Sequence, residues 1–250
     1  MSDLVLRQDA GGVATLTLNR PAKLNALSKE VFEALEGHVD VIAREQRRIG
    51  LVIVRGAGGN FSAGYDMEEI REHVRARGKP HYHSEVIEKV AGLPQPVVSA
   101  VEGLCSTGAM ELALAADLIV ANESSKFSDT YARWGLTPIW GLSLRLPHRV
   151  GTAKAAEMML TCRDYTGRQA EGLHLVNFCW PDARFETELA ALAADIVGNS
   201  WYSNQLNKRA LLASDGLPLK QAHALELFKN EGLAPDAVAR VEKFFTRGRR

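Results

Sequence analysis

Short apolar runs alternate with amphipathic stretches through the first half of the chain. Leu4 to Arg7 and Val13 to Leu18 read as strands around Ala10-Gly11-Gly12, which predicts a hairpin. Ser28 is placed to cap a helix in which Val31, Leu35, Val39 and Ile42 recur at helical steps. Leu51 to Val54 and Val97 to Val101 are unbroken apolar runs, as expected of strands covered on both faces, and Asp117 to Ala121 reads as a third. Asp66 to Ile70 looks like a helix start, and Ser84 to Ala91 regains helical spacing before Pro94 and Pro96 stop it. Between them, Arg71 to His83 is polar and poorly periodic and reads as a loop. Glu111 to Ala116 reads as helix.

The last third changes character. Thr152 to Leu160, Gly167 to Leu173, Glu186 to Val197, Ser203 to Leu212 and Leu219 to Phe228 all favour helix. Pro235 suits the first turn of a final one through Val238, Val241 and Phe245. Strands alternating with helices, followed by a helical tail, predict an α/β core with a largely parallel sheet.

Composition narrows the function classes. The chain has 250 residues, 46% hydrophobic and 24% charged, which is an ordinary globular balance. Lys+Arg and Asp+Glu both total 30, so no broad basic field speaks for nucleic acid. Arg247, Arg249 and Arg250 read as a solvated tail. The three cysteines, Cys105, Cys162 and Cys179, are widely spaced and lack CxxC pairing, which suits reduced thiols rather than a disulfide framework or a zinc site. No stretch approaches the ~20 apolar residues needed to cross a bilayer, and the first residues lack a leader pattern. A cytoplasmic enzyme with no membrane partner is the expectation.

Two glycine-containing turns, each following a strand, carry the candidate chemistry. One is Phe61-Ser62-Ala63-Gly64-Tyr65-Asp66; the other runs from Gly103 to Glu111. Ligands of α/β proteins gather where strands end and helices begin. Gly108 opens a helix, so its N–H is free of intrahelical partners and suits a developing oxyanion. A second donor from Tyr65 would complete a two-pronged hole. Glu111 follows Gly108 by three residues on the same face of the first turn. The helix dipole favours its carboxylate form while burial would raise its pKa, and the sequence leaves that contest open.

Other motifs are weaker. GAGGNF lacks the GxGxxG spacing of a dinucleotide site. Ser62, Ser99 and Ser106 lack the GxSxG elbow of a serine hydrolase. His81 and His83 sit at strand spacing without a further metal ligand nearby and read as surface histidines, so no metal is expected.

The segments Asn19 to Leu27, FSAGYD, PVVSAVEGLCSTGAMELALAADLIVA and Phe127 to Pro138 resemble, in order and spacing, the enoyl-CoA hydratase/isomerase (crotonase) family. The resemblance runs from about Leu4 to about Asn177. It implies a crotonase-like spiral of ββα units over residues 1–195 and a C-terminal helical trimerisation region over 196–250. It further implies an acyl-CoA thioester as substrate, CoA arriving with the substrate rather than as a bound cofactor, and a homotrimer or homohexamer. Carried over by position, the oxyanion donors are Tyr65 and Gly108, and the acid/base is Glu111. Ala22, Lys23, Leu24, Ala63, Gly64 and Asp66 fall on the ligand side, along CoA.

One departure bears on the reaction. Family hydratases carry a second glutamate where this chain has Tyr131, a poor base at neutral pH but a usable donor. Asp129, two residues earlier, could serve instead only if the backbone aims it inward. Hydration of an α,β-unsaturated thioester, with Tyr131 positioning water or substrate, is the leading expectation. Isomerisation, decarboxylation, thioester hydrolysis or a silent acyl-CoA-binding subunit are the rivals. Trp134, Ile139 and Trp140 read as core or subunit packing, with narrowing of the acyl pocket as the alternative.

Overall fold

The computed structural model describes residues 3–76, 81–229 and 231–247. The hairpin forms as expected: β1 (Val5–Ala10) pairs antiparallel with β2 (Val13–Leu18) across Gly11-Gly12. Then come α1 (Lys29–Ile42), β3 (Leu51–Gly56), α2 (Met67–Ala76), α3 (His81–Ala91), β4 (Val97–Val101), β5 (Leu104–Ser106), α4 (Gly108–Leu114), β6 (Leu118–Asn122) and β7 (Lys126–Ser128). The remainder holds α5 (Leu142–Val150), α6 (Thr152–Thr161), β8 (Tyr165–Thr166), α7 (Gly167–Gly172), β9 (Phe178–Trp180), α8 (Phe185–Gly198), α9 (Trp201–Ser214), α10 (Leu219–Lys229) and α11 (Ala237–Arg247).

Six strands form one sheet in the order β1-β2-β3-β4-β6-β9, parallel from β2 onward. A second sheet orders β5-β7-β8. The apolar runs of β3 and β4 are buried on both faces, which explains their unbroken hydrophobicity. Val52, Val54, Val97 and Val101 share one core with Val31, Phe32 and Leu35 of α1 and with Val86 and Ile87 of α3. Leu51, Ile53, Val98 and Ala100 share the other with Phe185, Leu189 and Ala193 of α8.

Several expectations are corrected. The stretch Arg71 to His83 is not a continuous loop: α2 extends to Ala76 and α3 begins at His81, while 77–80 lie outside the described residues. Asp66 starts α2 by accepting the Glu68 N–H at 3.0 Å, a local cap that offsets weak apolar periodicity. Pro235 precedes α11 rather than sitting in its first turn. The last third is not purely helical, since β9 joins the main sheet beside β6. Ser28 occupies the N-cap of α1 without a side-chain cap. The Lys29 N–H is instead taken by Glu69 Oε1 at 2.7 Å. Arg249 and Arg250 of the basic tail lie outside the described residues.

Candidate active site

The two glycine turns meet back to back. Cys105 of β5 bridges Ser62, and Leu27 bridges Tyr65 through the Leu27 N–H to Gly64 C=O and the Asp66 N–H to Leu27 C=O, at 2.8 and 3.1 Å. That parallel pattern uses the groups flanking Tyr65, so the amide of Tyr65 itself faces the opposite side, toward α4. A Cβ on Gly64 would lie 2.5 Å from both Ser106 O and Thr107 Oγ1 and 3.2 Å from Gly108 N. One on Gly108 would lie 3.2 Å from Tyr65 N. The approach requires glycine at both places, and Gly64 also has φ +94°. Thr107 is held at φ +49°, an unusual conformation for a β-branched residue, with its N–H on Ser128 O at 2.9 Å. It turns the chain so that Gly108 begins α4 beside Tyr65.

Glu111 is fully buried on α4. Its Oε1 accepts the backbone N–H groups of Trp140 at 2.8 Å and Leu142 at 3.2 Å, and its Oε2 accepts the Tyr131 hydroxyl at 2.5 Å. A carboxylate offers about four lone-pair positions. Among the described residues these donors fill three, leaving one on Oε2. Burial pushes Glu111 up to about 7, overriding the opposing pull of its three hydrogen bonds.

Tyr131 is buried at the start of a 3-10 turn, Tyr131–Trp134. Burial, then the charge of Glu111, holds its phenol well above the ordinary value, so it stays protonated. Asp129 is buried too, and its Oδ1 accepts the Tyr131 N–H at 3.0 Å. It presents Tyr131 to Glu111 rather than reaching Glu111 by a hydrogen bond of its own.

Against this geometry, the model of the enoyl-CoA hydratase/isomerase family matches residues 8–231. The chain belongs to that family. A relative from Arabidopsis thaliana named probable enoyl-CoA hydratase 1, peroxisomal, is 31% identical over 230 residues, covering 92% of this chain and 85% of the relative. An enoyl-CoA hydratase from Mycobacterium tuberculosis is 30% identical over 86% of this chain and 83% of its own. The solved enoyl-CoA hydratase of Bacillus anthracis superposes with a TM-score of 0.92 at 28% identity, over 98% of this chain and 97% of that one. The fold is the crotonase fold with a C-terminal helical region.

The remaining residues that family resemblance singled out gather at one edge. Pro21–Lys23 forms a 3-10 turn ended by Leu24 in the left-handed region, and the Leu24 carbonyl accepts the Ala63 N–H at 2.9 Å. Ala22, Lys23 and Leu24 are thus exposed beside Ala63 and Gly64. Lys23 Nζ reaches Glu68 at 3.2 Å across open surface. Asp66 is buried, one oxygen on Arg20 at 3.1 Å and the other on the Glu68 N–H, so its carboxylate is engaged within the chain.

Three site neighbours escaped the sequence reading. The amides of Trp140 and Leu142 leave no trace in residue type. Trp140 is 1% exposed and packs its ring on Gly108, whereas Trp134 is 60% exposed, so the two tryptophans do not share a role. His83 is buried between Phe32 and Tyr65, with ring centroids 4.5 and 5.1 Å away, correcting its reading as a surface histidine. Among the described residues no group of three or more His, Cys, Asp or Glu could hold a metal ion, and no helix is long and apolar enough to cross a membrane.

Proposed function

We propose that the protein is an enoyl-CoA hydratase-like lyase that adds water across an α,β-unsaturated acyl-CoA thioester. The observation that carries this reading is Glu111: buried, titrating near neutrality and holding its one unfilled lone-pair position on Oε2. The N–H groups of Tyr65 and Gly108 receive the thioester oxygen and meet the charge that develops there. Ionised Glu111 takes a proton from water as the water oxygen bonds to the β-carbon. The π electrons move toward the thioester, giving an enolate. Glu111 then returns its proton to the α-carbon, so H and OH have been added and the carboxylate is regenerated. A pKa near the working pH suits a group that must both accept and donate. Tyr131 stays protonated throughout and steadies Oε2.

Double-bond isomerisation is the second reading, and Tyr131 favours it: a carboxyl relaying one proton between two carbons needs no second carboxylate. Incubation with crotonyl-CoA and a β,γ-enoyl-CoA in D₂O separates the two. Hydration gives a 3-hydroxyacyl product with solvent deuterium at the α-carbon. Exchange or bond migration without water addition would overturn hydration and leave the enolate chemistry. Glu111→Gln is expected to lose at least about 100-fold in either reaction. Near-full turnover would remove Glu111 from the proton path.

The exposed apolar side chains of α10 and α11, among them Leu219, Phe228, Val238, Phe244 and Phe245, support subunit contacts in a homotrimer or homohexamer. Sedimentation velocity at micromolar concentration checks this, and a monomer would refute it.

A further inference from the structure

Trp140 touches both halves of the proposed machinery. Its amide donates to Glu111 Oε1 at 2.8 Å. Its indole lies against Gly108: a Cβ there would strike Trp140 Cζ3, with Cε3 at 3.1 Å, and the same point is 3.2 Å from Tyr65 N. The six-membered edge of the indole therefore stands at the mouth of the proposed oxyanion hole. An edge-to-face contact, 4.9 Å between centroids, sets the indole against the Tyr65 ring as well. In the acyl-CoA reading, a thioester oxygen between the Tyr65 and Gly108 amides leaves the α- and β-carbons facing Glu111. Trp140 spans those two points, so the carbons that follow meet its ring.

The ring has no room to step aside. It is 1% exposed and braced by Phe32 of α1 and His83 of α3, both buried, with centroids 5.2 and 5.3 Å away. The backbone that carries it is held from both sides. Beyond the amide on Glu111, the Trp140 carbonyl accepts Arg145 Nη1 at 3.2 Å, and Arg145 pairs with Glu88 of α3 at 2.7 Å. Trp134 and Ile139 are exposed, so of the three bulky residues singled out in this stretch Trp140 alone turns inward.

Core packing does not account for an indole at this place. Trp140 Nε1 is buried with no hydrogen-bond partner among the described residues, and an unpaired buried N–H opposes folding. A phenylalanine or leucine side chain would fill an apolar core without that penalty. What the indole adds over either is reach.

We infer that Trp140 sets acyl length: its indole closes the acyl pocket beyond the first few carbons, so the protein takes short acyl-CoA thioesters and excludes medium-chain ones. The inference rests on the acyl-CoA reading of the site. Calorimetric binding of butyryl-CoA and octanoyl-CoA, neither of which can be hydrated, tests it on the intact chain, Trp140→Phe and Trp140→Ala. Both substitutions keep the backbone amide on Glu111. Each methylene that enters an open apolar pocket tightens binding about fourfold. The intact chain is instead expected to bind octanoyl-CoA at least about tenfold more weakly than butyryl-CoA, because the extra carbons meet a filled wall. Trp140→Ala should reverse that order by at least about tenfold. Trp140→Phe, which keeps an aromatic ring against Gly108 and Phe32, should narrow the preference and decides the matter where the alanine variant does not fold.

Octanoyl-CoA bound by the intact chain as tightly as butyryl-CoA overturns the inference, since the pocket is then open past Trp140. So does a butyryl-CoA preference that survives undiminished in the folded variants. Equal weakening of both ligands, the mark of a merely structural ring, overturns it too. If neither thioester binds the intact chain or the variants, the acyl-CoA reading falls and takes the inference with it. A length preference lost on substitution, in a protein that hydrates no enoyl-CoA, supports the inference and strikes only the proposed reaction.

Discussion

The Tyr131 hydroxyl lies 2.5 Å from Glu111 Oε2, so where the family resemblance led to the expectation of a second carboxylate this chain places a hydrogen-bond donor against the first. Two carboxylates this close would raise one another's pKa; a phenol does the reverse and stabilises the ionised form. Glu111 nevertheless sits near 7, because removing its charge from water outweighs every donor around it. Glu111 is therefore a carboxyl that titrates beside a fixed, neutral hydrogen-bond donor.

Removing that neighbour should move the pH dependence in a defined direction. In Tyr131→Phe the carboxylate loses one of its three donors while its burial is kept, so its pKa rises further. In the proposed hydration the ionised form starts the reaction, so the acid limb of kcat/KM is expected to shift upward by on the order of one pH unit. A pH–rate profile with crotonyl-CoA checks this. An unmoved limb, with activity merely scaled down, would mean that Tyr131 does not tune Glu111.

The same carboxyl should burden stability at neutral pH. Its folded value of about 7 lies above the ordinary 4.5, so between the two the folded state holds the proton more tightly than the unfolded state does. The carboxyl's contribution is thus full below about 4.5 and is lost as pH rises toward 7. Glu111→Gln does not titrate there. Relative to it, the natural chain is expected to lose about 3 kcal/mol between acid and neutral pH, at about 1.4 kcal/mol per pH step between those two values. Urea denaturation of both proteins across that window gives the difference, and parallel curves would contradict the burial account.

Much of this arrangement was legible because residue type encodes it. Gly64 and Gly108 mark a close backbone approach, and Tyr65, Glu111 and Tyr131 fall at the places where family resemblance puts chemistry. The buried strands β3, β4 and β6 were visible as unbroken apolar runs. Other parts left weaker marks. The helix α5 was not among the expected elements, and it carries Pro147 near its last turn. The strands β5, β7 and β8 span two or three residues, too short for a period to show. The Trp140 and Leu142 amides that fix Glu111 belong to the backbone, which any sequence possesses. Glu69 and His83 were hidden by the polar, unperiodic stretch around them, and tertiary contact with Phe32 and Tyr65 is what buries His83.

Gly64 offers a test of how closely the two turns must meet. A Cβ there would press on the Ser106 carbonyl at 2.5 Å, a backbone group with no rotamer to yield, and φ +94° is itself unfavourable for alanine. Gly59 provides the control, with φ +73° and nothing within 4 Å of its added Cβ. Gly59→Ala is expected to cost about 1 kcal/mol from backbone strain alone. Gly64→Ala should cost about 1–3 kcal/mol more and lower kcat by spreading Tyr65 from Gly108. Equal stability losses with unchanged kcat would show that the turns can part without consequence.

The C-terminal helices are tied to this core by a buried charge. Lys208 of α9 is 6% exposed, and its ammonium reaches Asp117 Oδ2 at 2.8 Å and the Gln95 carbonyl at 3.1 Å. Asp117 Oδ2 also accepts the Val97 N–H at 2.7 Å, so one carboxylate joins α9 to the starts of β4 and β6. Burial lowers the Lys208 pKa, and the charge and hydrogen bond of Asp117 oppose that shift. Replacing Lys208 by Met keeps most of the stem's packing but leaves Asp117 and the Gln95 carbonyl short of a donor. Truncating one partner of a buried pair costs about 3–5 kcal/mol, and the partial exposure of Asp117 places the expected loss near the lower end. Lys208→Met should therefore unfold at lower urea, and the proposed oligomer should dissociate at higher protein concentration, because the helix that carries Lys208 leads into α10 and α11. A loss below about 1 kcal/mol, the range of an exposed ion pair, would mean that apolar packing alone seats α9.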